Sequence, residues 1–359
     1  MSTESTQHLI RMYVERASPV LFLTSFFDSP PQNFHTSEMV SLDIMRDSEE
    51  VAIVVQDLSA GTRENELTLW QNKGFTPPVF DESATITSYD MIRRMPGQDI
   101  FTDPNYLANA TEQAFQVFRK LEMKIRRSVE LMAAQVLQTG KLTLTDNAGR
   151  PLFVLDFGPR TAHFPTASSD WGGGSDNPLA DIQSLADQVR RNGRGLPNRL
   201  IFGKRAWRDF FGKDAVQKLF NLLRINVGNI EPRQVPGGGS YKGTIFLDNY
   251  EYELYVYDGT YVDPQTSTVK EYVNTDSVIM LSEGTRLDLT WGGIPLLRPP
   301  IASALEFLPP RISDGASKLD LTVNAYFTPD GKHLKLEAGT RPLTIPTAID
   351  TFGCLKTRV

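Results

Sequence analysis

Four histidines and one cysteine are the residues of this chain best suited to metal binding or nucleophilic chemistry, and their spacing supports neither. His8, His35, His163 and His333 stand singly, with no H-x-x-x-H step and no cysteine close enough to complete a zinc set. Cys354, flanked by Phe352 and Leu355, reads as a small buried hydrophobe. As the sole cysteine it cannot form an intrachain disulfide, which fits a reducing compartment. No G-x-S-x-G elbow presents a serine to a base, and no G-x-x-x-x-G-K-[ST] loop is present. Gly237, Gly238 and Gly239 are followed by Ser240, Tyr241 and Lys242, so no lysine stands where a phosphate would need it, and the run reads as a flexible loop tip. Glu49 and Glu50 are adjacent and point to opposite faces of a strand. Asn109, Ala110 and Thr111 match the glycosylation pattern, but the same residues are needed to cap a helix. No catalytic, cofactor or metal residues are therefore assigned, and an enzyme is not expected.

One cluster could carry binding chemistry. Arg190, Arg191, Arg194, Arg199, Lys204, Arg205, Arg208 and Lys213 are interleaved with Phe202, Trp207, Phe210 and Phe211. Cations with aromatics between them can hold nucleic acid through phosphate contact and base stacking. The aromatics also fall at helical spacing, which makes them the packed face of an amphipathic helix with the cations on its wet side, and that structural reading is preferred. A third reading pairs the cations with acidic groups of a neighbouring copy. A net charge of −6 argues against a general nucleic-acid binder.

The elements that would position these residues begin with a stretch from Gly74 to Gly158. An extended, Pro-broken segment runs into a long helix, which leads into a hairpin. Asn109 or Thr111 can cap the helix. Phe118, Leu121, Ile125, Val129, Met132 and Val136 form one apolar stripe, and Gly140 supplies the left-handed closing residue. From Thr111 to Thr139 the helix would span roughly 43 Å, so it needs a sheet beneath it. The strands Lys141 to Thr145 and Leu152 to Phe157 are the nearest candidates.

Upstream, a short helix is expected around His8 to Glu15. An aromatic run from Val20 to Phe27, ending in Ser29, Pro30 and Pro31, reads as an arm with little means of forming a core of its own. Strands are expected at Met39 to Ile44, Val51 to Val55, Leu67 to Trp70 and Ala84 to Tyr89. Phe164 to Asn177, rich in Gly, Ser and Asp around Trp171, reads as a linker. Beyond it come a helix at Leu179 to Asn192, a strand at Arg199 to Phe202, helices at Lys204 to Phe211 and Asp214 to Leu223, and strands at Gly243 to Asp248 and Tyr252 to Tyr257. Further strands follow at Ser277 to Leu281, Thr285 to Thr290, Leu319 to Phe327, His333 to Ala338, Leu343 to Thr347 and Cys354 to Thr357. A chain of 359 residues, 40% hydrophobic and 22% charged, has room for two or three packed subdomains. With Glu4 and Glu15 near its start and only Val20 to Phe27 as an apolar cluster, no secretory signal or membrane span is expected.

Several phrases, in order, resemble one family. They are VLFLTSFF, NFHTSEMVSLD, GFTPPVFDESATITSYDMIRRMPGQD, the helix ending VLQTGKLTLT, VLDFG, ADIQSLADQVRRNGRGLPNRLIFGKRAWRDFF and PLTIPTAIDTFG. Together they are similar to the lambda-type major capsid proteins of tailed phages, which have the Hong Kong 97 capsid fold. The resemblance implies an α+β fold with an N-terminal arm (1–35), strands and an extended β-hairpin loop (36–90), a peripheral domain with a spine helix (91–177) and an α/β axial domain (178–280). It further implies a return to the peripheral domain (281–345) and a C-terminal axial segment (346–359).

The implied role is that of a virion subunit, assembled in the host cytoplasm. It would build pentamers and hexamers of an icosahedral head around double-stranded DNA, touching the DNA non-specifically at most, with no membrane. Scaffold, portal and decoration or cement proteins are the further partners implied. Assembly-interface candidates are Phe22, Phe26, Phe27, Arg63, Glu64, Glu66, Trp70, Phe75, Phe80, Arg93 and Arg94. The segment Pro309 to Lys335 is longer than in the family, and no cross-linking lysine and asparagine are carried over. An encapsulin-like nanocompartment shell has the same fold and stands as an alternative, as does a DNA-binding or tail-associated structural protein.

Overall fold

A computed structural model describes residues 21–35, 40–44, 71–87, 90, 106–145, 149–174, 176–219, 233–235, 237–293, 321–328 and 333–358. The strands β1 (Val40–Ile44), β2 (Gln71–Phe75) and β3 (Phe80–Thr87) precede the longest element, helix α1 (Tyr106–Thr139). At 1.5 Å per residue α1 is about 51 Å long, one turn more than its sequence cap suggested. Its expected stripe is buried along its length, with Ala133, Ala134 and Leu137 widening it near the C-terminal end. Gly140 ends it at φ 64°, donating its N–H to Val136 O at 2.8 Å. Any side chain there would meet the Pro159 ring at 2.5 Å, so both backbone hand and close approach require glycine.

The hairpin β4 (Lys141–Thr145) and β5 (Pro151–Asp156) follows directly, antiparallel as expected. Next come α2 (Pro178–Gly193), β6 (Pro197–Phe202) and α3 (Lys204–Phe211), with further helical residues at 214–219. Asn177 caps α2 by accepting the N–H of Ala180, and Pro178 stands in the first turn. The strands β7 (Arg233–Gln234), β8 (Gly239–Leu247) and β9 (Tyr250–Tyr257) lead to a small hairpin, β10 (Thr260–Val262) and β11 (Val269–Glu271). The chain closes through β12 (Ser277–Ser282), β13 (Leu287–Trp291), β14 (Thr322–Phe327), β15 (His333–Thr340), β16 (Pro342–Pro346) and β17 (Phe352–Lys356).

Among the described residues the largest sheet has six strands, in the order β17-β12-β6-β9-β8-β7. Only β6 and β9 run parallel. Every residue of β12 is buried, because the sheet is covered on both faces. Val278 and Met280 face a core built with α2 and α3, while Ile279 and Leu281 face a second core holding the C-terminal half of α1, β4, β5, β13 and β16. Strand alternation thus makes one sheet the wall between two cores. A third core lies under the N-terminal half of α1, where Phe118, Leu121 and Ile125 meet Ile86, Leu334 and Leu336 of the sheet β14-β15-β3.

Two expectations are corrected. The 164–177 segment is a strap rather than a linker. Trp171 is fully buried, donates its indole N–H to Asp181 Oδ2 at 2.9 Å, and bonds through its backbone N–H to Thr357 O. Burying a residue of that size outweighs the flexibility of the glycines beside it. The aromatic run at 21–27 is likewise part of a core, as described next. The expected strands at Val51 to Val55 and Leu67 to Trp70 lie outside the described residues, as do the helix at His8 to Glu15 and most of Pro309 to Lys335.

Candidate functional site

Cys354 and His163 are built into the packed interior. Cys354 is buried in β17, and burial pushes its thiol up to about 12, out of reach of nucleophilic chemistry at neutral pH. His163 is also buried. Its Nδ1 lies 3.0 Å from Phe352 O and its Nε2 3.0 Å from Asn192 Nδ2. Asn192 Oδ1 accepts from Arg160 at 3.1 Å, so the amide turns its NH2 to the ring and the imidazole carries its proton on Nδ1. Among the described residues, no group of three His, Cys, Asp or Glu side chains is placed to hold a metal ion.

Three of the eight cations of the cluster are matched by carboxylates within the chain. Arg199 pairs with Glu253 at 3.2 Å, Arg205 with Asp276 at 2.8 Å, and Lys213 with Asp176. Phe202 and Phe210 are buried against Trp171, and Trp207 stacks on Phe211 at their rim. Phe210, with Ala206, is thus the packed face of α3 against Phe202 of β6, as the structural reading has it, while Trp207 is half-buried and Phe211 is 43% exposed.

What the site residues build instead is a clasp. Glu130, in the C-terminal third of α1, is 0% exposed. Its carboxylate accepts the N–H groups of Leu23 and Thr24 at 2.7 and 2.8 Å, together with the Thr24 hydroxyl and that of Tyr257. Leu23 and Thr24 open a single 3₁₀ turn, Thr24–Phe26, so the carboxylate satisfies donors that the turn cannot. A buried charge held by so many donors fixes geometry as much as it stabilises. Burial and the Glu130 carboxylate push the Tyr257 hydroxyl well above its usual range.

Around the clasp, Phe22 is 1% exposed and packs on Tyr257 at 5.0 Å and Tyr255 at 5.7 Å. Gly237 and Gly239 make room for it. A side chain at Gly237 would stand 2.6 Å from Phe22 N, and one at Gly239 2.4 Å from the Phe22 ring. The triple glycine is therefore a seat for this segment and not a loose tip. From Asp28 the chain runs parallel to β13, with bridges Asp28 to Asp288 and Phe34 to Trp291. The Trp291 indole donates to Ser29 Oγ at 2.9 Å and stacks on Phe34.

The interface candidates divide accordingly. Phe22 and Phe27 are buried in their own subunit, and Phe26 and Phe80 are half-buried against its cores. The first two are corrections: the run found a core by lying against α1 and β9, which no local pattern could reveal. Phe75 stands opposite Val40 at one end of the β1–β2 ladder. Arg63, Glu64, Glu66, Trp70, Arg93 and Arg94 lie outside the described residues. The β1–β2 ribbon runs in register from Val40 and Phe75 to Ile44 and Gln71, and among the described residues no third strand pairs with it. Glu130 was missed in the sequence. Its only signal is an acidic residue directly after Val129, inside the apolar stripe.

A long helix laid across two sheets, a separate mixed sheet with its own helices, and a two-stranded ribbon opening toward residues 45–70 define an α+β capsid fold of the Hong Kong 97 type. Solved structures agree. A protein described as a prophage capsid protein, from Escherichia coli CFT073, superposes with a TM-score of 0.62 at 18% identity, covering 98% of this chain and 97% of that one. A phage-related protein from Bordetella bronchiseptica RB50 gives 0.50 at 10% identity, covering 99% and 97%.

The chain belongs to the family described as phage major capsid protein E, whose model matches residues 8–356. It is 25% identical over 289 residues to the major capsid protein of Escherichia phage lambda, covering 76% of this chain and 78% of that protein. The chain is a major capsid protein of a phage head, a self-assembling component of the virion.

Proposed function

We propose that this subunit forms pentamers and hexamers of an icosahedral head enclosing double-stranded DNA. In this reading residues 178–280, with the segment from 346, form the axial domain that meets at the centre of each capsomer. Residues 91–177 and 281–345 form the peripheral domain around the spine helix. The loop within 36–90 lies over an adjacent copy, and residues 1–35 form the N-terminal arm, of which 21–35 are clasped to their own subunit. Assembly in the host cytoplasm, with scaffold, portal and decoration proteins as further partners, completes the proposal.

The observation that carries the arm reading is the β1–β2 ladder. Among the described residues no third strand joins this pair, two strands alone are marginal in water, and twenty-six residues stand between Ile44 and Gln71. An unaccompanied strand pair gains most by pairing with a neighbouring subunit, and each copy then both donates and receives the same contact. The charge supports only loose contact with DNA. At −6 overall, and with Arg199, Arg205 and Lys213 of the basic cluster paired internally, the chain is a poor general binder of phosphates.

Electron microscopy of the protein co-expressed with its neighbouring genes tests the proposal. Uniform closed shells with five- and six-fold capsomers are expected. Soluble monomers or open filaments would contradict it.

A further inference from the structure

The most exposed large apolar side chains among the described residues are Leu152 (75%), Val269 (69%), Val154 (63%) and Val262 (62%), and all four stand on two hairpins. On β5, Leu152 and Val154 alternate with Phe153 and Leu155, which pack inward. In the other hairpin Val262 and Val269 are direct cross-strand partners. The two hairpins meet, since Gln265 Nε2 donates to Thr145 Oγ1 at 2.7 Å and Gly149 faces the Gln265 amide.

Both hairpins are held firmly from behind. Leu142 and Leu155 lie in the core beneath α1, and Tyr261 packs on Tyr272 at 5.1 Å. Asp263 accepts from Gln265 N at 3.0 Å and Thr266 Oγ1 at 3.2 Å and pairs with Lys270 across the hairpin. Both displays of aliphatic surface are thus anchored to the subunit by buried contacts on their inner faces.

We propose that the outer faces of these two hairpins form a contact with a second copy of this chain. The proposal rests on the closed-shell reading above and adds to it a surface outside the extended loop. The four side chains expose together on the order of 400 Å², within the range of a monomer's largest apolar patch, which is often functional. That is about half of what one partner buries in a standard interface. The charges alongside are balanced, with Lys141 bound to Asp156 at 2.7 Å and Lys270 to Asp263. A neutral rim suits a copy of the same surface or a similarly balanced one, and gives no purchase to a polyanion. In a self-assembling shell another copy is the one protein every subunit meets.

Cys354 is buried and unreactive, so one added cysteine reports alone. Val154→Cys and Val269→Cys are made separately in the full chain, and maleimide labelling is timed on dissociated subunits and on shells formed from this chain alone. Labelling in shells is expected to slow by about tenfold or more at both positions, as for side chains in a water-excluding contact. Equal rates in both forms overturn the proposal, as does protection that appears only after an accessory protein is added.

A further variant, Leu152→Lys with Val262→Lys, is expected to keep the wild-type circular dichroism and lose about nine-tenths or more of its particle yield. A normal yield overturns the contact. Wild-type micrographs separate the two readings: no shells at all overturns the closed-shell reading with this contact, whereas shells with freely labelled thiols overturn this contact alone.

Discussion

The segment 21–35 and the two hairpins around Val154 and Val269 exchange the roles that composition gives them. The segment, with Phe22, Phe26 and Phe27 between polar and proline residues, has the composition of adhesive surface, yet its Phe22, Leu23 and Phe27 are buried where it lies against α1, β9 and β13. The hairpins have the composition of ordinary strand pairing beneath a long helix, and they carry the most exposed aliphatic residues among those described. Apolar character says only that a side chain seeks cover. Whether its own subunit or the next supplies that cover is decided by tertiary placement.

The contrast predicts a crossed pattern of effects, starting with the largest. Phe22→Ala, which empties a site between Tyr255 and Tyr257, should cost about 4 kcal/mol in chemical denaturation. Leu152→Lys with Val154→Lys should change the same measurement by less than about 0.5 kcal/mol while particle yield falls. Equal stability losses for the two variants would erase the distinction between the regions.

Next in size is Glu130→Gln. The amide can accept through one oxygen only, and its NH2 faces donors, so about 2 kcal/mol should be lost with at least one of the Leu23 and Thr24 N–H groups unpaired. Limited proteolysis should then cut within 21–35 before it cuts α1. An unchanged cleavage pattern would mean that packing of Phe22 alone holds the segment.

The smallest effect concerns pH. The Cys354 thiol, raised by burial from an ordinary value of 9.0 to about 12, stays protonated in the folded chain while the unfolded chain ionises. Its contribution is fully present below about pH 9 and is lost as pH rises toward 12. Burial raises the Tyr252, Tyr257 and Tyr272 hydroxyls in the same direction, so stability should fall on the alkaline side. Cys354→Ala should flatten the slope between pH 9 and 10, before the tyrosines dominate. An unaltered slope would place the thiol in contact with solvent.

Elements with a local signature were legible in the sequence. The stripe of α1, its Gly140 terminus, the strand alternation after it and the amphipathic face of α3 all follow from periodicity and capping. The clasp, the seat at Gly237 to Gly239 and the buried Trp171 strap were not. Each joins residues far apart in the chain, as Leu23 and Glu130 do, or Gly237 and Phe22, and single-residue types there point the wrong way. The family resemblance supplied the overall order of parts. It could not tell which apolar residues a subunit keeps for itself.

The proposed contacts thus keep surfaces that complete the subunit distinct from surfaces that complete the shell. The β1–β2 ladder allows that division to be cut cleanly, because Ile44 and Gln71 are paired and a two-residue Asn-Gly turn can join their strands in place of Met45 to Trp70. Sedimentation of this variant beside the wild-type chain is the most direct measurement. Folded subunits with the wild-type melting curve that form no closed shells are expected, and closed shells in normal yield from the shortened chain would contradict the division.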